Sequence, residues 1–226
     1  MSISNKKIRK TLEKKITQLN DIIADIDSLL TEMQTEYYRV SIFGSARIKA
    51  NSPQFDQVYQ LAYKLAMRGV DIVTGGGPGL MQAANKGAQD GGQKMSRSIG
   101  LPIDLPFETT ANAHLDVKKQ HKRFSSRLDE FMRISHAVIV TPGGIGTILE
   151  LFYTWQLIQV QHIKPRPIIL LGEDKMWDEL LLWLENRPIK SNLISKDDLK
   201  YLSLCDSVDS AILHLEPSIK DFYTHL

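Results

Sequence analysis

Pro142, Gly143, Gly144, Ile145, Gly146 and Thr147, followed by Glu150, are the residues of this chain best suited by type and spacing to chemistry. Three glycines within four positions clear side chains from a turn, so backbone N–H groups can approach a ligand closely. The apolar, β-branched run at 138–141 predicts a buried strand before the turn, and the residues after it predict a helix. A helix starting there offers unpaired N–H groups and the positive end of its dipole, and phosphate is the natural occupant. Glu150 follows Thr147 by three residues, so its carboxylate shares a helix face with the hydroxyl. A carboxylate repels phosphate. Glu150 therefore stands beside the anion, placed to act on whatever the phosphate is attached to.

The elements that must position this stretch alternate along the chain. Strands are predicted at 40–43, 70–74, 96–101, 138–141, 167–171 and 199–204. Between them fall helices at 53–68 and 80–88, one carrying Phe124, Leu128, Phe131 and Ser135, one ending near 160, one at 175–186 and one from 207 onward. Strand, helix, strand in regular order means parallel pairing, right-handed crossovers and helices on both faces, an open doubly wound α/β sheet. Three strands end in glycine-bearing turns: Gly44 with Ser45; Gly75, Gly76 and Gly77 with Gly79; and Gly143, Gly144 and Gly146. In a parallel sheet all strand carboxyl ends share one edge, so these turns can line one crevice near the switch in strand order.

Residues 1–38 are expected to form an N-terminal helical extension and 39–226 the catalytic domain. No Gly or Pro occurs from 5 to 38, and Leu12, Ile16, Leu19, Ile23, Ile26, Leu30, Met33 and Tyr37 are spaced alternately by four and three. That is a heptad seam, which serves either an oligomerisation arm or a helix laid on its own domain. The cluster Lys6, Lys7, Arg9, Lys10, Lys14 and Lys15 is expected on a solvated face.

A chain of 226 residues with 42% hydrophobic content can bury one core and carry an appendage. A net charge of +2 argues against a nucleic-acid partner. The lone Cys205 fits a reducing compartment, and the lack of an 18-residue apolar run argues against a membrane partner, so a cytoplasmic location is expected. Neither glycine turn has the spacing of a dinucleotide fingerprint or a P-loop, and no nucleophile elbow of a serine hydrolase occurs. No two histidines are spaced i, i+4 and the single cysteine has no ligand partner nearby, so no metal is expected.

Gly75–Gly76–Gly77–Pro78–Gly79–Leu80–Met81 with Ala83–Ala84–Asn85, the loop Leu105–Pro106–Phe107–Glu108 with Asn112, and the stretch from Pro142 to Glu150 together resemble the LOG (Lonely Guy) family, whose members are often labelled possible lysine decarboxylases. The match runs over residues 40–171. The resemblance implies a Rossmann-like fold, a homodimer or larger homo-oligomer, and a cofactor-free phosphoribohydrolase that splits the N-glycosidic bond of a nucleoside 5'-monophosphate. It also implies a catalytic pair, Glu150 with Arg127, the arginine fifteen residues before Pro142. Leu128 stands where the plant cytokinin-activating members have lysine. Arg127–Leu128–Asp129–Glu130–Phe131–Met132–Arg133 instead resembles the longer bacterial pyrimidine/purine nucleotide 5'-monophosphate nucleosidases, so cytokinin riboside 5'-monophosphate is the less expected substrate.

Cleavage of a ribosyl C–N bond builds positive charge on C1' and the ring oxygen, which a fixed carboxylate stabilises while water attacks. Substrate contacts are expected from Gly44, Ser45, Gly75, Gly76, Gly77, Gly79, Glu108, Gly143, Gly144, Gly146 and Thr147. Two other functions fit a glycine-lined crevice: binding of a nucleotide or phosphorylated cofactor without turnover, and pyridoxal-phosphate decarboxylation. The second has little behind it, since Lys86, Lys118 and Lys122 are not marked out as Schiff-base lysines.

Overall fold

The computed structural model describes residues 5–33, 36–92, 95–104, 111–172 and 175–225. The chain divides into two compact units, Met1–Glu36 and Tyr37–Leu226. The first contains one helix, α1 (Asn5–Met33), on which Leu12, Ile16, Leu19, Ile23 and Ile26 are exposed.

The second unit holds seven parallel strands: β1 (Arg39–Phe43), β2 (Asp71–Thr74), β3 (Ser98–Gly100), β4 (Val117–Lys118), β5 (Ala137–Val140), β6 (Ile168–Leu171) and β7 (Leu202–Cys205). Their spatial order is β4-β3-β2-β1-β5-β6-β7. The chain builds outward from β1 to β4, returns to the centre at β5 and builds outward the other way. The switch therefore lies between β1 and β5, paired from Val40↔Ala137 to Phe43↔Val140, and a ligand crevice opens at their carboxyl ends.

Helices α2 (Pro53–Ala66), α3 (Leu80–Gly92) and α7 (Val208–Thr224) pack on one face with the strand residues Val40, Ile42, Ile72, Ile139 and Ile169. Helices α4 (Phe124–Ile134), α5 (Ile145–Gln159) and α6 (Met176–Leu184) pack on the other face with Phe43, Val73, Val138, Val140 and Leu170. Successive strand side chains point to opposite faces, so strands covered on both sides must be apolar throughout. That is why β5 reads Ala-Val-Ile-Val without alternation.

The doubly wound α/β fold is as expected, with local differences. β4 has no counterpart in the strand pattern, because two exposed residues carry no periodicity to detect. β3 is three residues long rather than six, the helix at 80–88 continues to Gly92, and a 3-10 turn (Lys196–Tyr201) takes the first half of the strand expected at 199–204. A π turn (Glu185–Ile189) follows α6. The loop at 105–108 lies outside the described residues.

Helix α3 lies directly on the backbone of α2. A Cβ at Gly87 would overlap the Tyr59 carbonyl oxygen and lie 3.0 Å from Tyr63 N. Gly87→Ala is expected to destabilise the protein by about 1–3 kcal/mol through overpacking, lowering the melting temperature by several degrees. Gly146→Ala meets nothing within 4 Å and should leave the melt unchanged or higher. Equal melting temperatures for the two variants would contradict this account.

Candidate active site

Backbone hydrogen bonds lace the three glycine turns together at the sheet edge. Ser45 N donates to Pro142 O at 3.0 Å, and Leu80 N donates to Ser45 O at 2.9 Å. The first bond ties the β1 turn to the β5 turn; the second ties it to the start of α3. Gly79 has a left-handed φ of +67°, and a Cβ there would overlap the Ser45 carbonyl oxygen, so only glycine passes.

A buried polar network fixes the turn after β2. Thr74 Oγ1 donates to Asn85 Oδ1 at 2.7 Å and accepts from Gly76 N at 2.9 Å. Asn112 Nδ2 reaches Asn85 Oδ1 and Gly77 O, each at 2.9 Å, and Asn112 N donates to Gly76 O at 2.8 Å. Asn85 Nδ2 completes its set by donating to Ser98 Oγ at 2.9 Å. Asn85 is fully buried, and a buried amide with its partners satisfied holds a loop in one conformation.

The turns enclose a cavity of about 750 Å³. Gly44, Ser45, Gly75, Gly76, Gly77, Gly144, Gly146, Thr147 and Glu150, expected from the sequence, line it, as does Arg127, expected from the family resemblance. Gly79 and Gly143 do not line the cavity. Gly79 stands behind it for the reason given, and a Cβ at Gly143 would overlap the Thr147 side chain. Glu108 lies outside the described residues. Residues not anticipated also line the wall: Arg47, Asp104, Lys118, Gln120, Phe124 and Ile145 among them. Lys118 and Gln120 sit on or beside β4, where Gln120 Nε2 donates to Asp104 Oδ1 at 2.7 Å. Their only sequence signal was nearness to the motif loops. His121 does not line the cavity; burial holds its pKa below the ordinary value.

Helix α5 opens into this cavity. Its N-cap is Gly144, and no side chain caps the first turn. A Cβ at Gly144 or Gly146 would meet nothing within 4 Å, so these two glycines leave bare backbone facing open space. N–H groups so exposed at a helix start make an anion site. The missing side chains at these two positions leave room for a ligand rather than for packing.

Glu150 lies one turn along the same helix. Its Oε1 is 3.6 Å from Arg127 Nη2 on α4, and both side chains are only 13% exposed. Burial pushes the Glu150 carboxyl up from 4.5 to about 7, against the opposing pull of the Arg127 charge. The arginine is placed by its surroundings. Its guanidinium lies 5.4 Å from the centre of the Phe131 ring, and Gly75 makes room for it, since a Cβ there would overlap Arg127 Nη2. The cavity thus joins an uncapped helix start to a carboxyl group poised between its protonation states near neutrality, a condition suited to acid–base or charge-stabilising work. Among the described residues no group of three or more His, Cys, Asp or Glu could hold a metal ion, and no helix is long and apolar enough to cross a membrane.

A protein family described as possible lysine decarboxylase matches residues 81–215. The chain is 28% identical over 195 residues to the cytokinin riboside 5'-monophosphate phosphoribohydrolase LOG of Oryza sativa subsp. japonica, covering 84% of this chain and 78% of that one. It is 32% identical over 136 residues to the pyrimidine/purine nucleotide 5'-monophosphate nucleosidase of Escherichia coli strain K12, covering 57% of this chain and 30% of that longer protein. Among solved structures, the molybdenum cofactor binding protein of Rippkaea orientalis superposes with a TM-score of 0.60 at 21% identity, covering 82% of this chain and 99% of that one, a likeness of fold alone.

Because the Glu150 carboxyl is raised in the fold, the native state keeps its proton between about pH 4.5 and 7, where the unfolded chain has lost it. Stability therefore falls as pH rises through that window, by up to about 3 kcal/mol. Glu150→Gln lacks this loss. Its stability relative to wild type, from urea titration, should be more favourable at pH 8 than at pH 5; a pH-independent difference would show that the carboxyl is not raised.

Proposed function

The chain belongs to the possible lysine decarboxylase (LOG) family, and on that premise we propose that it hydrolyses the N-glycosidic bond of a nucleoside 5'-monophosphate to free base and ribose 5-phosphate. The observation that carries this reading is the placement of the buried Glu150 carboxyl, beside Arg127, in the same cavity as the open start of α5. The names of the plant and bacterial relatives support the same reaction class.

In this reaction the 5'-phosphate sits on the N–H groups of the α5 start, over Gly144, Gly146 and Thr147. The ribose then extends toward Glu150, one helical turn on. As the C1'–N bond breaks, its electron pair leaves with the base and positive charge spreads over C1' and the ring oxygen. The ionised Glu150 stabilises that charge or takes the proton of the attacking water, whose oxygen bonds to C1' while a proton reaches the base nitrogen. Arg127 orients Glu150 and favours its ionised form, and its fork also suits phosphate or ribose oxygens. Gly44, Ser45 and Gly75 to Gly77 form the opposite wall, and Glu108 is proposed as a further substrate contact. The base lies toward that wall. Neither a metal nor an organic cofactor takes part in these steps.

Residues 39–226 form the catalytic domain in this proposal, with 1–38 as a helical extension and the cytoplasm as the location. The enzyme works as a homodimer or larger homo-oligomer. The support is that two cavity-lining apolar side chains, Ile145 at 89% and Phe124 at 53% exposure, would be covered by a second copy.

Purified protein incubated with adenosine, guanosine, cytidine, uridine and cytokinin riboside 5'-monophosphates should release free base from at least one of them. The matching unphosphorylated nucleoside should be a poor substrate. Glu150→Gln should lower kcat/KM by about 10²- to 10⁴-fold. Recovery of every nucleotide intact, with ligand-induced thermal stabilisation, would instead favour a binding protein without turnover.

Activity should rise with pH through a midpoint near 7 as Glu150 ionises. In Arg127→Leu the residual activity should show this limb at higher pH, since the charge that favours the carboxylate is gone. A limb that stays in place would belong to another group, such as the substrate phosphate.

A further inference from the structure

Helix α1 carries an apolar stripe whose residues Leu12, Ile16, Leu19, Ile22, Ile23 and Ile26 are each more than half exposed. Helices of this kind draw most of their stability from packing of the apolar face. In heptad terms Ile16 and Ile23 occupy a, and Leu12, Leu19 and Ile26 occupy d. Ile8 and Ile22 fall at g and widen the stripe on one flank.

Charge is divided along the same helix. Residues 5–15 hold Lys6, Lys7, Arg9, Lys10, Lys14 and Lys15 against Glu13 alone, and Glu13 is held by Arg9 at 3.1 Å. Residues 21–36 hold Asp21, Asp25, Asp27, Glu32 and Glu36 and no Lys or Arg. A parallel pair of such helices would set cations along cations and anions along anions, and would place the Ile8 flank against the Glu13 flank. An antiparallel pair sets each basic half along an acidic half.

We infer that α1 pairs antiparallel with α1 of a second copy of this chain. The register that matches a to d across the pair sets Ile16 against Ile26 of the second copy and Leu19 against its Ile23. That register also brings the two copies of Ile22 together across the twofold axis, because g faces g in an antiparallel pair. Every exposed apolar residue from Leu12 to Ile26 is then covered, and the pair is centred near residue 21. The pairing uses residues 12–26 alone and is independent of the reaction proposed for the core.

The test uses the full chain with Cys205→Ser and a spin label on Thr11→Cys. In the antiparallel register residue 11 lies level with residue 31 of the second copy, so the two labels stand about 30 Å apart along the axis. A parallel pair would bring them within roughly 15 Å, near the spacing of packed helices. The expected result is a pulsed electron–electron distance near 30 Å that disappears in Ile16→Asp/Ile23→Asp, whose core stays folded by thermal melt. A short distance, no distance at all, or a distance that survives the double substitution would overturn the inference.

Discussion

The cavity depends on keeping one carboxyl group out of water. An isolated buried carboxylate is costly, and a protein usually answers by neutralising the group or pairing it. Glu150 stands between these outcomes. Burial drives its pKa up, the guanidinium 3.6 Å away draws it back toward ionisation, and the two together leave it at about 7. Neither force alone would leave the group adjustable near neutral pH. Full solvation would keep it ionised, and burial without Arg127 would hold it protonated.

That balance rests on atoms that are absent as much as on those present. Arg127 reaches its place because Gly75 has no side chain, and Gly75 is held by a turn pinned through Thr74, Asn85 and Asn112. The turn after β1 is pinned in the same way, by Ser45 to Pro142 on one side and Leu80 on the other. The glycines therefore divide by task. Gly44, Gly75, Gly79 and Gly143 are sites where a Cβ would strike protein; Gly144 and Gly146 are sites where it would strike nothing. The first group builds the walls and the second leaves the space.

Sequence made the central half of this legible. Buried parallel strands have to be continuously apolar, so β1, β2, β5 and β6 stood out, and glycine turns at their ends announced a shared crevice. Glu150 was visible because helical spacing from Thr147 is a local property. Arg127 was not: it sits on a separate helix, and nothing in the periodicity of α4 distinguishes it from Arg123 or Arg133, so its mention depended on family resemblance alone. The far wall was harder still. β4 is two exposed residues long, and Lys118 is set at the cavity by its long-range pairing with Gly100 of β3. Asn85 and Asn112 could be noticed as motif residues, but only the structure gives them a task, as latches on the turn that do not line the cavity.

The placement of anion site and carboxyl group on one helix sets the character of the proposed enzyme. Both belong to α5, a rigid element packed through Leu151, Trp155 and Ile158 into the core, so their separation cannot adapt to the ligand. A ligand whose charged tail docks at the helix start presents to Glu150 whatever lies a fixed distance from that tail. In the proposed reaction discrimination at the sugar phosphate is then strict by geometry, whereas Asp104, Lys118 and Gln120, which also line the cavity, belong to loops and an edge strand. Such segments can differ between relatives without disturbing the strands and helices beneath them. The relatives of this chain carry names as different as cytokinin riboside 5'-monophosphate phosphoribohydrolase and pyrimidine/purine nucleotide 5'-monophosphate nucleosidase, as a fixed helix with variable loops around it would allow.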